Sequence, residues 1–84
     1  MGEIAEKLKQ LPKEDIELLE GILSTIDSPK PVEGLDKTLI RQSNVNIMIK
    51  KTQDYSKKGY DVDHYLKQVA DKIRHYNLFG VKII

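Results

Sequence analysis

The chain has 84 residues, no cysteine, 14 Lys or Arg against 13 Asp or Glu, and 39% apolar residues. This describes one small domain, residues 1–84, with a modest core and a heavily solvated surface. Disulfides and thiolate metal sites are excluded, and the apolar content is too high and too periodic for a disordered chain. No apolar run approaches the roughly 20 residues of a membrane span, and residues 1–10 lack the apolar centre of a secretory signal. An intracellular protein that does not associate with membranes is therefore expected. Charge is unevenly placed: residues 1–36 hold four Lys against nine acids (−5), and residues 37–84 hold ten Lys or Arg against four Asp (+6). The two halves attract each other, and the basic half offers a face for an acidic partner.

Ile4, Ala5, Leu8 and Leu11 are spaced for one face of a short first helix. Pro12 interrupts it and suits the opening position of a second helix, whose first turns carry Glu14, Asp15 and Glu17 at the favourable end of the helix dipole. Ile16, Leu19, Ile22, Leu23 and Ile26 recur at spacings of three and four, with Gly21 as a weak point. Asp27-Ser28-Pro29-Lys30-Pro31 cannot continue a helix, because two prolines remove amide donors and bias their predecessors toward extended geometry. A short helical turn is expected over residues 32–35. Asp36 is then an N-cap for a long helix ending near Lys58, with Gly59 as its left-handed stop. In that helix Leu39, Ile40, Ile47, Met48 and Tyr55 line one broad face and Val45 and Ile49 widen it, so the helix is expected to be central or slightly broken near Ser43 and Asn44. Asp61 caps a last helix with a clean apolar period at Val62, Tyr65, Leu66, Val69, Ala70, Ile73 and Tyr76. The segment Leu78-Phe79-Gly80-Val81-Lys82-Ile83-Ile84 is an apolar tail expected to pack back on the bundle. The fold expected is all-α: a compact bundle of four to five helices, right-handed or orthogonal in packing, with no sheet.

Catalytic constellations do not assemble. His64 and His75 are eleven residues apart, and Asp71 with His75 gives only two metal-capable groups on one helix face, fewer than a stable site needs. No Gly-x-Ser-x-Gly elbow occurs, the glycines never cluster into a phosphate cradle, and Asp61-x-Asp63 is not followed by the rest of a calcium loop. The chain is read as a non-enzyme without cofactor or metal. What stands out is surface chemistry: Lys50-Lys51 and Lys57-Lys58 bracket Tyr55, and Tyr60 follows Gly59. Such a face serves phosphate contact and base stacking on single-stranded nucleic acid, or steers an acidic peptide whose apolar anchor enters between helices. A near-zero net charge disfavours nucleic acid. The blander reading is that these lysines are a solvated helix end complementing the C-terminal dipole. A small nucleic-acid-binding regulator and a microbial inhibitor or immunity-type bundle are the alternatives, and a monomer is expected.

The order of segments resembles the N-terminal domain of transcription elongation factor TFIIS, a family that includes elongin A and the integrase-binding domain of lens epithelium-derived growth factor. The residues that carry the likeness are Leu18-Leu19-Glu20-Gly21-Ile22-Leu23, then Val32-Glu33-Gly34-Leu35-Asp36-Lys37-Thr38, then Val45-Asn46 with Lys50-Lys51, then Ala70 and Phe79-Gly80. The tryptophan that many members carry late in the last helix is absent, and Arg41 stands where a glycine is usual. The resemblance implies a nuclear docking platform for short disordered, acidic motifs of transcription factors. It places partner contacts on Leu11, Pro12 and Lys13 and on Tyr55, Tyr60 and Val62, beside the lysines Lys50, Lys51, Lys57 and Lys58.

Overall fold

The computed structural model describes residues 9–78. Three α-helices follow one another there, α1 (Lys13–Asp27), α2 (Lys37–Lys57) and α3 (Asp63–His75). Among the described residues there is no strand, only an isolated parallel β-bridge between Lys9 and Tyr60. The described part of the chain is all-helical, with three helices where four or five were expected. Ile4, Ala5 and Leu8 of the anticipated first helix, and residues 79–84 of the apolar tail with Phe79-Gly80, lie outside the described residues. The last part of that expected helix is not helical. Lys9 N donates to Gly59 O at 2.8 Å and Lys9 O accepts from Asp61 N at 2.9 Å. Those bonds commit its backbone to the α2–α3 link, and Pro12 biases Leu11 toward extended geometry.

Each helix starts and stops for a local reason. Pro12 occupies the N-cap of α1 and its carbonyl accepts from Asp15 and Ile16. Residues 32–35 form a β-turn instead of a helical turn: Leu35 N donates to Val32 O at 3.0 Å, and Gly34 takes φ 84° in the position where a type II turn requires a positive value. Asp36 caps α2 as expected, its Oδ1 accepting from Thr38 N at 2.9 Å. The helix then runs unbroken through Ser43 and Asn44. It ends in a Schellman motif, with Tyr60 N on Tyr55 O and Gly59 N on Ser56 O, both at 3.0 Å, and Gly59 at φ 92°. The end of α3 repeats the device with Asn77 at φ 57° as the left-handed residue and Leu78 N donating to Ile73 O at 2.8 Å. Asp61 is displaced by one residue from the cap position, which Val62 holds, but its Oδ1 still accepts from Asp63 N at 3.3 Å.

The core gathers one stripe from each helix and a residue from each flanking segment: Leu19, Leu23 and Ile26 of α1, Val45 and Met48 of α2, Tyr65 and Val69 of α3, with Leu11, Val62 and Leu78. Fully burying each aliphatic side chain is worth about 1.5–3 kcal/mol. On α2 the buried row is Val45, Met48 and Thr52, whereas Leu39 and Ile47 are 54% and 41% exposed. With apolar residues on every side of this helix, periodicity alone cannot select the inward row. Thr52 hides its polarity, its hydroxyl lying 2.9 Å from the carbonyls of Met48 and Ile49, where it donates back into the helix.

Two glycines separate backbone strain from packing, because an added Cβ would meet nothing within 4 Å at either Gly21 or Gly59. Gly59→Ala forces a side chain into left-handed geometry and is expected to cost about 1 kcal/mol. Gly21→Ala, inside α1, is expected to stabilise by about 0.5–1 kcal/mol. Chemical denaturation of the two variants checks the opposite signs.

Candidate docking surface

The expected contact residues fall into distinct environments. Leu11 and Val62 are core residues, 7% and 1% exposed. Pro12, Lys13, Lys50, Lys57 and Lys58 are exposed, and Lys51, Tyr55 and Tyr60 are half-buried. The tyrosines close one pole of the bundle. Tyr55 Oη donates to Asp15 Oδ1 of α1 at 2.9 Å, the Tyr55 and Tyr60 rings meet edge to face at 6.0 Å, and Lys9 Nζ lies 5.7 Å from the Tyr60 ring centre. Burial, with the Asp15 carboxylate beside it, pushes the Tyr55 hydroxyl above its ordinary pKa. Tyr55 and Tyr60 do lie together, but their contacts hold α1, α2 and the α2–α3 link, and the cation on the Tyr60 ring is Lys9.

The opposite pole is a polar knot centred on Asp27. The last turn of α1 contains no basic residue, so positive charge comes from its neighbours. Arg41 of α2 donates through Nε to Ile26 O at 2.8 Å and through Nη2 to Asp27 O at 3.4 Å, and its guanidinium lies 4.1 Å from the Tyr76 ring centre. Lys72 Nζ donates to Asp27 Oδ2 at 2.6 Å and Tyr76 Oη to Asp27 Oδ1 at 2.9 Å. The Lys72 hydrogen bond, helped by that of Tyr76 and opposed by partial desolvation, holds the Asp27 carboxyl below its ordinary pKa. Farther along α3, Asp71 pairs with Arg74. Among the described residues no three His, Cys, Asp or Glu side chains gather as a metal site would need.

With the tyrosines occupied in the seam, open grooves elsewhere on the described residues are more accessible. One, of about 440 Å³, lies between α2 and α3 and is lined by Thr52, Gln53, Ser56, Lys57 and Leu66. Leu66 is 40% exposed there, although its position in the apolar period of α3 suggested a core role. The second, of about 400 Å³, is lined by Val32, Leu35, Leu39, Ile40, Ser43 and Asn44 at the start of α2 and carries no charged side chain in its wall. Sequence reading missed both. The signal available for Leu66 was its place at the edge, not the centre, of the α3 stripe defined by Val62, Tyr65 and Val69.

Lys50 and Lys57 are seven residues apart on α2, which puts them on one row separated by about 10 Å. Lys57 stands in the groove wall with Thr52, Gln53 and Ser56, beside the exposed part of Leu66, whereas Lys50 is not among the lining residues. Lys67 is exposed beside Leu66, and Asp63, one turn earlier on α3, opposes them. The arrangement presents no nucleophile, base and oxyanion donors in concert; it offers an apolar contact beside Lys57, with the exposed Asp54 on the same row of α2. No helix among the described residues is long and apolar enough to cross a membrane.

Two outcomes test the poles. Tyr55→Phe is expected to lose about 1 kcal/mol, and a double-mutant cycle with Asp15→Asn should recover most of that as coupling energy. Asp27 has a lowered folded-state pKa, so its contribution is present above the unfolded value near pH 4 and is lost as pH falls through the folded value. Asp27→Asn should therefore lower stability at neutral pH and flatten the acid limb, read from urea midpoints across that range. Comparison with known proteins gives no match to any family, to any curated protein or to any solved structure.

Proposed function

We propose that this protein is a non-catalytic docking domain that binds an acidic, apolar-anchored segment of another protein on the lysine-bearing side of α2. The observation that carries the reading is the α2–α3 groove, where half-exposed Leu66 sits beside Lys57. An apolar floor supplies binding energy by excluding water, and the surrounding ammonium groups select the sign of the partner and accelerate encounter. The order of motifs that resembles the TFIIS N-terminal domain family belongs to the same proposal, with transcription factors as the partner class and the nucleus as the compartment. In this reading the contact is centred on Leu66 and Lys57; Leu11, Tyr55 and Val62 act indirectly, by fixing the relation of α1 and α3 to α2.

Titration of the isotope-labelled protein with an acidic, phenylalanine-containing peptide tests the proposal. Amide shifts should gather on Thr52, Ser56, Lys57, Leu66 and Lys67. Absent shifts, or shifts spread evenly over the bundle, would overturn it. Replacing both Lys57 and Lys58 with Glu should slow association by about tenfold at low salt and by less at high salt.

A further inference from the structure

We infer that two copies of this chain associate through the solvent-facing row of α2, antiparallel about Ser43, with Ile47 of each copy seated in the uncharged groove of the other. The inference is independent of the docking reading, because it uses α2 from Asp36 to Lys50, whereas the α2–α3 groove begins at Thr52. The monomer expected from the sequence is the form at low concentration.

The inward row of α2 is Val45, Met48 and Thr52. On the opposite side, the N-cap Asp36 and Leu39, Ser43, Ile47 and Lys50 fall within an arc of about 80° at 3.6 residues per turn, and all five are exposed. An outward face is ordinarily polar. Here Leu39 and Ile47 are 54% and 41% exposed, with Val32 and Leu35 of the preceding turn at 49% and 52%. Leu39, Ser43 and Ile47 make a ridge at i, i+4 and i+8, and the groove of about 400 Å³ runs beside it, between that ridge and Ile40 and Asn44. No charged side chain lines the groove, so it suits an aliphatic occupant. A second copy supplies one, because the row is self-complementary. A two-fold axis at Ser43 brings residues equally far before and after it opposite one another. Leu39, four before, meets Ile47, four after; Asp36, seven before, meets Lys50, seven after; and each pair occurs twice. The small Ser43 at the centre lets the two backbones approach. Asp36 commits Oδ1 to the cap at Thr38 N, which leaves its second oxygen for the ammonium group. Parallel pairing would instead set Asp36 on Asp36 and Lys50 on Lys50, so charge selects the antiparallel arrangement. Lys51 and Asp54 fall beyond the apolar centre, at a rim where both charges stay in water. One helix on one helix is a small contact, so the dimer is weak and concentration-dependent.

Sedimentation of the full chain from about 10 μM to about 1 mM should show the mass rising from monomer toward dimer. The sequence has no cysteine, so a single introduced thiol reports the register. Ser43→Cys should form a disulfide-linked dimer on mild oxidation, whereas Lys50→Cys, about 21 Å from its mate across the two-fold axis, should not. Ile47→Lys should abolish both the rise in mass and the cross-link of Ser43→Cys. Its circular dichroism spectrum should be unchanged, because Ile47 is not part of the core. A chain that stays monomeric throughout would overturn the inference. So would nuclear Overhauser contacts in a monomer between Leu39 and the chain's own residues 79–84, which would then occupy the groove. A dimer that cross-links through Lys50→Cys and not through Ser43→Cys would overturn the antiparallel register. The docking reading is tested apart from all of these, by peptide-induced shifts at Thr52, Ser56, Lys57 and Leu66.

Discussion

A helix that ends in an aspartate with no basic residue in its last turn has an electrostatic deficit, and α1 ends in this way at Asp27. The remedy must come from elsewhere in the chain, and it comes from both other helices. Arg41 of α2 satisfies the terminal carbonyls, while Lys72 and Tyr76 of α3 hold the carboxylate. One local demand thereby specifies which ends of three helices must meet. The hydrophobic stripes define that they pack; this knot defines how they are oriented when they do. At the far pole the Tyr55–Asp15 bond and the Lys9 bridge perform the corresponding task for the other end of α1. The opposite net charges of the two halves of the sequence are resolved in part inside the molecule, at these contacts.

That division of labour decides what is left for a partner. Aromatic residues flanked by lysines look like a binding surface in sequence, but Tyr55 and Tyr60 spend their polar and edge contacts on the seam. Lys50, Lys57 and Lys58 remain at the surface, and Lys57 shares a groove with Leu66, a residue that periodicity assigns to the interior. The α2–α3 groove is lined mainly by exposed residues, with Thr52 as its buried member.

The strongly amphipathic helices were readable from the sequence. Ile16 to Ile26 and Val62 to Tyr76 each show a single apolar stripe whose centre is buried, with Leu66 at an exposed edge. The stops were readable too, since Gly59 permits a geometry other residues resist and Asp36 supplies a capping carboxylate. The inward face of α2 was not readable. Apolar residues surround that helix, and the choice of Val45, Met48 and Thr52 over Leu39 and Ile47 is made by the neighbours that pack on it. Nor was the conformation of Lys9 to Leu11 legible, because the bonds that settle it go to Gly59 and Asp61, some fifty residues away in sequence. The grooves share this property: each is a relation between segments, and no single segment carries its signature.

Three of the polar contacts at the two poles join residues 40, 45 and 49 positions apart. Helical turns form within about a microsecond from neighbours in sequence, whereas these contacts require closure of long loops with a substantial entropy cost. Each helix can therefore take shape before its ends are matched to one another. The Schellman ends of α2 and α3 contribute at that early stage, since Tyr60 on Tyr55 and Leu78 on Ile73 are contacts within a single turn of chain. The order of assembly that follows runs from helix ends already fixed, through collapse of the stripes, to the two poles last. A chain arrested before that final step would have its helices and most of its core, but no defined alignment of α1 against the other two.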